Sequence, residues 1–116
     1  MISSSFMRAN HLINREGNMK KFRTYQLAIN FYKNASKLKL NNPFRDQYQR
    51  ALLSIVLNLA EGSGKLTMKD RRRFYSISLG SMREVQAILE INNATHLEIV
   101  ADTVAAHIYR LCQRCQ

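Results

Sequence analysis

The chain has 116 residues and a mass of 13.5 kDa, which allows one domain and excludes separate catalytic and binding domains. Apolar residues make up 46% and charged residues 22%, a composition that excludes disordered and membrane-spanning chains. The 18 Lys and Arg against 8 Asp and Glu give a net charge of +10 and a pI near 10.1. So large a basic excess predicts a polyanionic partner, most often nucleic acid.

The positive charge is concentrated toward the N-terminus. Residues 1–45 carry nine basic side chains and one acidic, residues 46–75 carry six and three, and residues 76–116 carry three and four. These counts give net charges of +8, +3 and −1. The sequence therefore predicts that the basic surface belongs mainly to the first third of the chain.

The compartment is predicted from three features of the chain. Two cysteines are too few for a disulfide-stapled secreted domain. The N-terminus lacks a continuous apolar signal segment. The longest apolar run, residues 51–60, is far shorter than the roughly 20 residues that span a bilayer. We therefore expect a cytoplasmic protein without a membrane partner.

Residues 1–18 differ from the rest of the chain, because they are rich in Ser and Asn and have no sustained apolar period. This predicts a disordered leader before a single domain over residues 19–116. A second interpretation stays open beside it. The codons of Arg15-Glu16-Gly17 could match a bacterial ribosome-binding site, in which case Met19 is the true start.

From Phe22 onward the apolar period is helical, and the whole chain contains one proline, Pro43. Four helices are predicted with short connections, which favours an antiparallel up-down four-helix bundle. The third is predicted to begin at Thr67, which with Asp70 resembles a capping box. The predicted helices cover residues 22–40, 45–61, 67–92 and 96–114.

Each predicted helix has an apolar stripe that defines its buried face. The second helix is apolar on other sides as well, which predicts a central position or a contact with another subunit. Gly80-Ser81 in the middle of the third helix predicts a close crossing with a neighbour. The predicted stripes are Ala28, Phe31, Tyr32, Ala35 and Leu38; Tyr48, Leu52, Ile55 and Leu59; Phe74, Ile77, Ser81, Val85 and Ile88; and Leu97, Ala101, Val104, Ile108, Leu111 and Cys115.

The segment Gly62-Ser63-Gly64-Lys65 resembles a phosphate-binding loop but departs from that pattern twice. The pattern requires a glycine where Leu59 stands and a serine or threonine where Leu66 stands. The segment also follows a predicted helix rather than a strand. We interpret it as a turn between helices.

Cys112, Cys115 and His107 are the residues with metal-ligand chemistry. The two sulfurs would lie about one helical turn apart, but a closed zinc site needs four ligands. His96 lies about three turns from His107, and the apolar stripe already accounts for Cys115. The sequence therefore predicts no metal and no cofactor.

Glu61 and Glu84 are set among apolar residues, where a lone charge is costly. Arg50 and Asn58 are available partners, and Ser81 lies one turn before Glu84. We predict that these five residues form a structural polar network that holds the helices in register. The alternative, a general acid and base pair in a small enzyme, has no nucleophile with a histidine partner behind it, so we predict a protein without catalytic residues.

The candidate nucleic-acid-binding residues surround the first helix and the start of the third. Few acidic residues neutralise them, and free amides at a helix N-terminus favour phosphate. Consecutive arginines on a helix splay by about 100°, so at most two of the triplet can share a surface. Phosphate contacts of this kind predict salt-sensitive binding with little base readout. The alternative is an ordinary solvated face. The candidates are Lys20, Lys21, Arg23, Lys33, Lys37, Lys65, Lys69, Arg71, Arg72 and Arg73.

Polar and small residues stand at fixed places inside apolar helices: Arg50-Ala51, Ser54-Ile55, Asn58-Leu59-Ala60-Glu61-Gly62, then Phe74, Gly80-Ser81 and Glu84. This pattern resembles the four-helix bundle family encoded by intervening sequences in bacterial 23S rRNA genes, whose signature is close to R-A-x-x-S-I-x-x-N-x-A-E-G followed by G-S-x-x-E. The resemblance covers residues 50–91 well and residues 22–111 more loosely. Leu52 and Leu53 depart from the small residues common before Ser-Ile.

The resemblance implies properties that the periodicity does not show. Members of the family form homopentamers of four-helix protomers, and no enzymatic activity is implied. A related bundle, the accessory variability determinant of diversity-generating retroelements, binds nucleic acid and a reverse transcriptase. The leading hypothesis is a non-enzymatic oligomer that binds nucleic acid, with RNA favoured over DNA. The alternative is an interaction module that docks an acidic partner such as a reverse transcriptase complex.

Overall fold

Four α-helices joined by short segments make up the described part of the chain. The structure is a computed structural model that describes the backbone of residues 19–115 and the side chains of residues 23–115. The prediction of an all-helical chain with four helices is confirmed, and the described residues contain no strand. The predicted leader, residues 1–18, lies outside them. The helices are α1 (Met19–Ala35), α2 (Phe44–Ser63), α3 (Met68–Ile91) and α4 (Thr95–Arg114).

One apolar core lies among the four helices. α1 packs against α2 and α4, and α3 packs against the same two helices. The predicted stripe of α2, from Tyr48 to Leu59, is buried, and so is that of α4 from Ala101 to Cys115. Side chains at 4-3-4 spacing share one side of a helix, so both predictions are confirmed for these residues, while Leu97, the first of the predicted α4 stripe, is half-buried against the core. No helix in this described region is long and apolar enough to cross a membrane.

The buried face of α3 differs from the predicted one in the first half of the helix. Ile77, predicted to be buried, is 45% exposed, whereas Tyr75 and Ser78 are buried. Ser78 tolerates burial because its hydroxyl donates a hydrogen bond to the carbonyl oxygen of Ile55 at 2.8 Å. The predicted stripe was therefore wrong at Ile77, because a buried serine cannot be recognised before its acceptor is known.

α1 ends at Ala35, and the predicted extension to Leu40 was wrong. Two side chains of α2 account for the difference. The Tyr48 hydroxyl donates to the carbonyl oxygen of Ala35 at 2.7 Å, and Gln49 Nε2 donates to that of Ser36 at 3.1 Å. The last carbonyls of a helix need such partners when no further turn follows.

The segment after α1 alternates with a period of two residues. Leu38 and Leu40 are half-buried against the core, whereas Lys37 and Lys39 are exposed. Lys37, which the predicted bounds of 22–40 placed within the first helix, therefore lies after the end of α1.

The start of α3 is capped as predicted. Thr67 has extended backbone angles, φ −104° and ψ 150°, and its Oγ1 accepts a hydrogen bond from the Asp70 backbone N–H at 3.1 Å. This contact satisfies one of the free amides of the first turn. It fixes where the basic residues of that turn begin.

The close approach between α2 and α3 occurs at Gly62, not at Gly80. A Cβ on Gly62 would lie 2.7 Å from Tyr75 Cε1, whereas a Cβ on Gly80 would have no atom within 4 Å. The predicted close crossing at Gly80 was therefore wrong. Beside it, the Ser81 hydroxyl does contact α2, because its Oγ lies 2.7 Å from Ser54 Oγ.

The two glycines give opposite expectations for alanine substitution. Gly62→Ala forces the Tyr75 ring to move, which we expect to cost about 1–3 kcal/mol of unfolding free energy. In Gly80→Ala the new Cβ enters open space within a helix, so we expect the unfolding free energy to rise by about 0.5–1 kcal/mol. Urea unfolding followed by circular dichroism measures both; equal effects of the two variants would contradict the assignment.

Tyr48 gives a pH-dependent expectation. Burial raises the pKa of Tyr48 to about 12, so the unfolded chain loses this proton near pH 10 while the folded chain keeps it. Its contribution to stability is complete below pH 10 and falls by up to about 1.4 kcal/mol per pH unit between pH 10 and 12. Tyr48→Phe removes a hydrogen bond that contributes about 1 kcal/mol at pH 8. It also removes the ionisable group, so the variant does not show the loss of stability that Tyr48 causes at high pH.

We therefore expect the stability curves of the native chain and Tyr48→Phe to converge above pH 10. Unfolding in urea at pH 8, 10 and 11 measures the difference. Tyr109→Phe, which changes a half-exposed tyrosine, is the control for general effects of high pH. A constant gap between native chain and Tyr48→Phe across this range would refute the expectation.

Candidate nucleic-acid interface

The two basic residues of α1 whose side chains the structure describes are far apart along the helix. Arg23 and Lys33 have exposed side chains, while the side chains of Lys20 and Lys21 lie outside the described residues. Ten residues place Lys33 about 15 Å along the helix from Arg23 and about 80° around it. Lys37 lies in the turn after α1, so the described cations of this region are dispersed.

The three consecutive arginines of α3 have different roles. Arg71 is only 8% exposed, and its Nε donates a hydrogen bond to the carbonyl oxygen of Lys65 at 2.8 Å. Arg72 and Arg73 are exposed. Arg71 thus joins the start of α3 to the preceding turn, and its assignment to the binding surface is corrected to a structural one.

The Phe74 ring contacts two of the predicted basic residues. Lys65 Nζ lies 5.0 Å and Arg73 Cζ lies 4.8 Å from the ring centroid, distances typical of cation–π contacts. Lys65 also forms an ion pair with Glu61 at 3.0 Å. Lys65 is therefore partly neutralised, whereas Lys69 and Arg73 face solvent.

The polar contact between α2 and α3 includes two of the five predicted network residues. Asn58 Nδ2 donates to Ser54 Oγ at 3.0 Å, and Ser54 Oγ lies 2.7 Å from Ser81 Oγ. Asn58 also donates to the Ser54 carbonyl oxygen at 2.9 Å. Ser54, which the sequence analysis left out of the network, is its centre.

The other three predicted network residues lie elsewhere. Glu61 is exposed and pairs with Lys65, so it does not face the interior. Glu84 accepts a hydrogen bond from Gln47 Nε2. Arg50 is exposed on α2. Arg50 and Glu61 face water, which solvates a charge better than an apolar core does, and the half-buried Glu84 has Gln47 as its partner.

A groove between α3 and the C-terminal half of α4 gathers cations that are distant in sequence. It consists of two adjoining cavities of about 610 and 380 Å³ that share Arg72 and Ser76. We call this feature the α3–α4 groove. Its lining residues are Met68, Lys69, Asp70, Arg72, Arg73, Ser76, Leu79, Gly80, Arg83, Tyr109, Cys112, Gln113 and Cys115.

A second basic cavity, of about 230 Å³, lies on the other side of α4. Arg23 and Thr24 of α1 line it together with His107, Arg110 and Arg114 of α4. The start of α1 therefore lies next to the end of α4, although their residues are far apart in the sequence. His107 itself is oriented by the Thr103 carbonyl oxygen, 2.9 Å from its Nδ1.

The charge of these cavities is almost wholly positive. Their lining includes seven Lys and Arg side chains and, among the described residues, a single carboxylate, Asp70. Arg83 donates to Gln86 Oε1 at 3.0 Å, and Gln86 in turn donates to Asp102 at 2.8 Å. Such concentrated positive charge attracts phosphate groups more strongly than dispersed cations do.

The two cysteines belong to the walls of the groove and are free, buried thiols. Burial raises the pKa of the Cys112 thiol, while its hydrogen bond with Ser76 and the nearby Arg72 act in the opposite direction. The thiol is therefore neutral near pH 7 and contributes apolar surface. No group of three or more His, Cys, Asp and Glu residues that could hold a metal was found in the part of the chain that the structure describes.

Arg83, Arg110 and Arg114 line the cavities but were not predicted from the sequence. They come from a segment whose net charge is −1, so averaging over residues 76–116 concealed them. A usable signal was present in the spacing, because Lys69, Arg72, Ser76, Gly80 and Arg83 recur at intervals of 3, 4, 4 and 3. That spacing places them on one helix face.

Arg71 and Arg72 form a matched pair for mutation. Arg71→Ala removes a buried hydrogen bond of a charged group and its packing, so we expect a loss of about 1.5–3 kcal/mol of unfolding free energy. Arg72→Ala removes an exposed side chain and should change the unfolding free energy by less than about 0.5 kcal/mol. Urea unfolding measures both values, and comparable losses would show that Arg71 has no special structural role.

Comparison with known proteins identifies the family. The family model described as 23S rRNA-intervening sequence protein matches residues 20–116, which include all of α2, α3 and α4 and nearly all of α1. No curated protein and no solved structure matches the chain. Because the match covers most of the chain and the four-helix architecture agrees with it, the chain belongs to the family of 23S rRNA-intervening sequence proteins.

Proposed function

We propose that this protein binds nucleic acid through phosphate contacts. The observation that carries the proposal is the clustering of exposed cations from α1, α3 and α4 around cavities with little carboxylate among their described lining residues. Arginine predominates there, and its planar guanidinium can donate two hydrogen bonds to one phosphate. The contacts supply affinity without reading base sequence.

RNA is favoured over DNA, and the cytoplasm is the expected compartment. The family description places the encoding sequences in 23S rRNA, and RNA is therefore the ligand that we propose to test first. An acidic protein, such as a component of a reverse transcriptase complex, would be attracted by the same cations. Direct binding measurements separate these two partners.

The proposal assigns no catalysis to the chain. Glu61 and Glu84, the two carboxylates that could act as an acid and a base, have other partners, Lys65 and Gln47. Their roles are thereby consistent with surface pairing and helix contact.

We further propose an antiparallel up-down arrangement of the helices. Gln47 of α2 contacts Glu84 of α3, while Gly62, at the other end of α2, faces Tyr75. A later residue of α2 thus contacts an earlier residue of α3, as in two helices that run in opposite directions. Short connections between consecutive helices also favour this topology.

Assembly into a homo-oligomer, a pentamer by family resemblance, is part of the proposal. Leu53 and Leu57 of α2 are 45% and 56% exposed, and Ile77 of α3 is 45% exposed. Burial of such side chains in a subunit contact would remove apolar surface from water. The apolar excess of α2 noted in the sequence supports the same contact.

Salt dependence tests phosphate binding. We expect structured RNA to bind at low salt and the logarithm of the association constant to fall linearly with the logarithm of salt concentration. The slope should be about −0.7 to −0.9 for each phosphate contacted. Filter binding between 50 and 300 mM KCl measures it. Absence of binding to both RNA and DNA at low salt would refute the proposal and leave the acidic protein partner.

Lys33 and Lys37 test whether dispersed positive charge contributes to the affinity for RNA. Lys33→Gln combined with Lys37→Gln removes two positive charges from exposed positions that do not line the cavities. We expect affinity to fall by a similar small factor for RNAs of unrelated sequence, since phosphate contacts do not depend on bases. A loss confined to one sequence would contradict phosphate-led binding.

A further inference from the structure

The α3 wall of the α3–α4 groove is a basic stripe with a gap at its centre. Lys69, Arg72, Ser76, Gly80 and Arg83 line one face, and Lys69 and Arg83 are about 21 Å apart along the helix axis. The cations occupy the two ends of the stripe. The small residues between them leave open space, since a Cβ on Gly80 would meet no atom within 4 Å.

The opposite wall supplies an exposed aromatic ring. Tyr109 of α4 is 49% exposed and lines the same cavity as Gly80 and Arg83. Leu79 and the neutral thiol of Cys112 add apolar surface between the two helices. Arginines at the ends, an aromatic side chain on one wall and a small-residue gap on the other make a site for both phosphates and flat rings.

Resting on the proposed function, we propose that the α3–α4 groove binds single-stranded nucleic acid, with Arg72 and Arg83 on phosphates and a base stacked on Tyr109. In a duplex the bases are stacked on one another, so Tyr109 could not reach the face of a base. In a single strand the bases are free to stack on aromatic side chains. At about 3.4 Å per nucleotide, the stripe accommodates about six nucleotides.

Gly80 provides a variant that blocks the groove without disturbing the core. Gly80→Leu places a side chain in the open space of the cavity that Tyr109 also lines, and leucine favours a helix more than glycine does. We expect the thermal midpoint to stay the same or rise while affinity for a single strand falls at least tenfold. Gly80→Ala, which adds one carbon, is the matched control and should bind within twofold of the native chain.

Two further pairs of variants test the ring and the cations. Tyr109→Ala should lower affinity about tenfold, and Tyr109→Phe, which keeps the ring, should remain within twofold. Arg72→Gln with Arg83→Gln should lower affinity more than tenfold and reduce the salt slope by about 1.4. Lys33→Gln with Lys37→Gln, the same change of charge outside the groove, should stay within threefold.

The measurement is fluorescence anisotropy of a labelled 12-nucleotide single-stranded RNA with the full chain at 100 mM KCl. The unlabelled strand, the corresponding 12-base-pair duplex and polyglutamate of equal charge serve as competitors. We expect the single strand to compete at least tenfold better than either of the others. Thermal unfolding of every variant shows that it is folded.

The outcomes separate this inference from the proposed function. If the duplex or polyglutamate competes as well as the single strand, or if Gly80→Leu and Tyr109→Ala bind like the native chain, the groove assignment is overturned while phosphate binding stands. If neither single strand nor duplex binds at low salt, the proposed function fails as well. A loss in folded Gly80→Leu but not in Gly80→Ala supports the groove.

Discussion

The contact between α2 and α3 is the constraint on which the rest of the structure depends. It needs a side chain small enough for the Tyr75 ring at Gly62, and it buries Ser78 because Ile55 offers a carbonyl acceptor. These contacts fix the rotation of α3 about its axis. With that rotation set, Arg71 lies inside the turn while Arg72 lies in the groove. A shift by one residue position, about 100°, would exchange their roles.

The charge distribution in space differs from that along the chain. The segment from residue 76 onward has more acidic than basic residues, yet three of its arginines line the cavities around the end of α4. Its carboxylates do not line these cavities: Glu84 contacts Gln47, and Gln86 stands between Asp102 and Arg83. Local separation of the two signs therefore produces a basic surface where the average charge predicts none, and interactions with phosphate depend on this local field.

Different faces of the same helices serve stability and surface chemistry. The apolar stripes of α2 and α4 are buried in the core. Other faces of the helices carry cations, small residues and a half-exposed tyrosine. Gly80 illustrates the distinction. It contributes nothing to packing, unlike Gly62, and a glycine inside a helix lowers stability. The proposed binding of a single strand in the α3–α4 groove would account for a glycine at this position.

Sequence patterns alone were enough for the four helices, the buried stripes of α2 and α4, the cap at Thr67 and the family, because periodicity and capping are local properties. Only the tertiary structure decided where α1 ends, because Tyr48 and Gln49 of another helix satisfy its last carbonyls. It also decided which arginine is buried and which glycine is crowded. These outcomes depend on the rotation and proximity of neighbouring helices, and on acceptors such as Ile55 that lie more than twenty residues away.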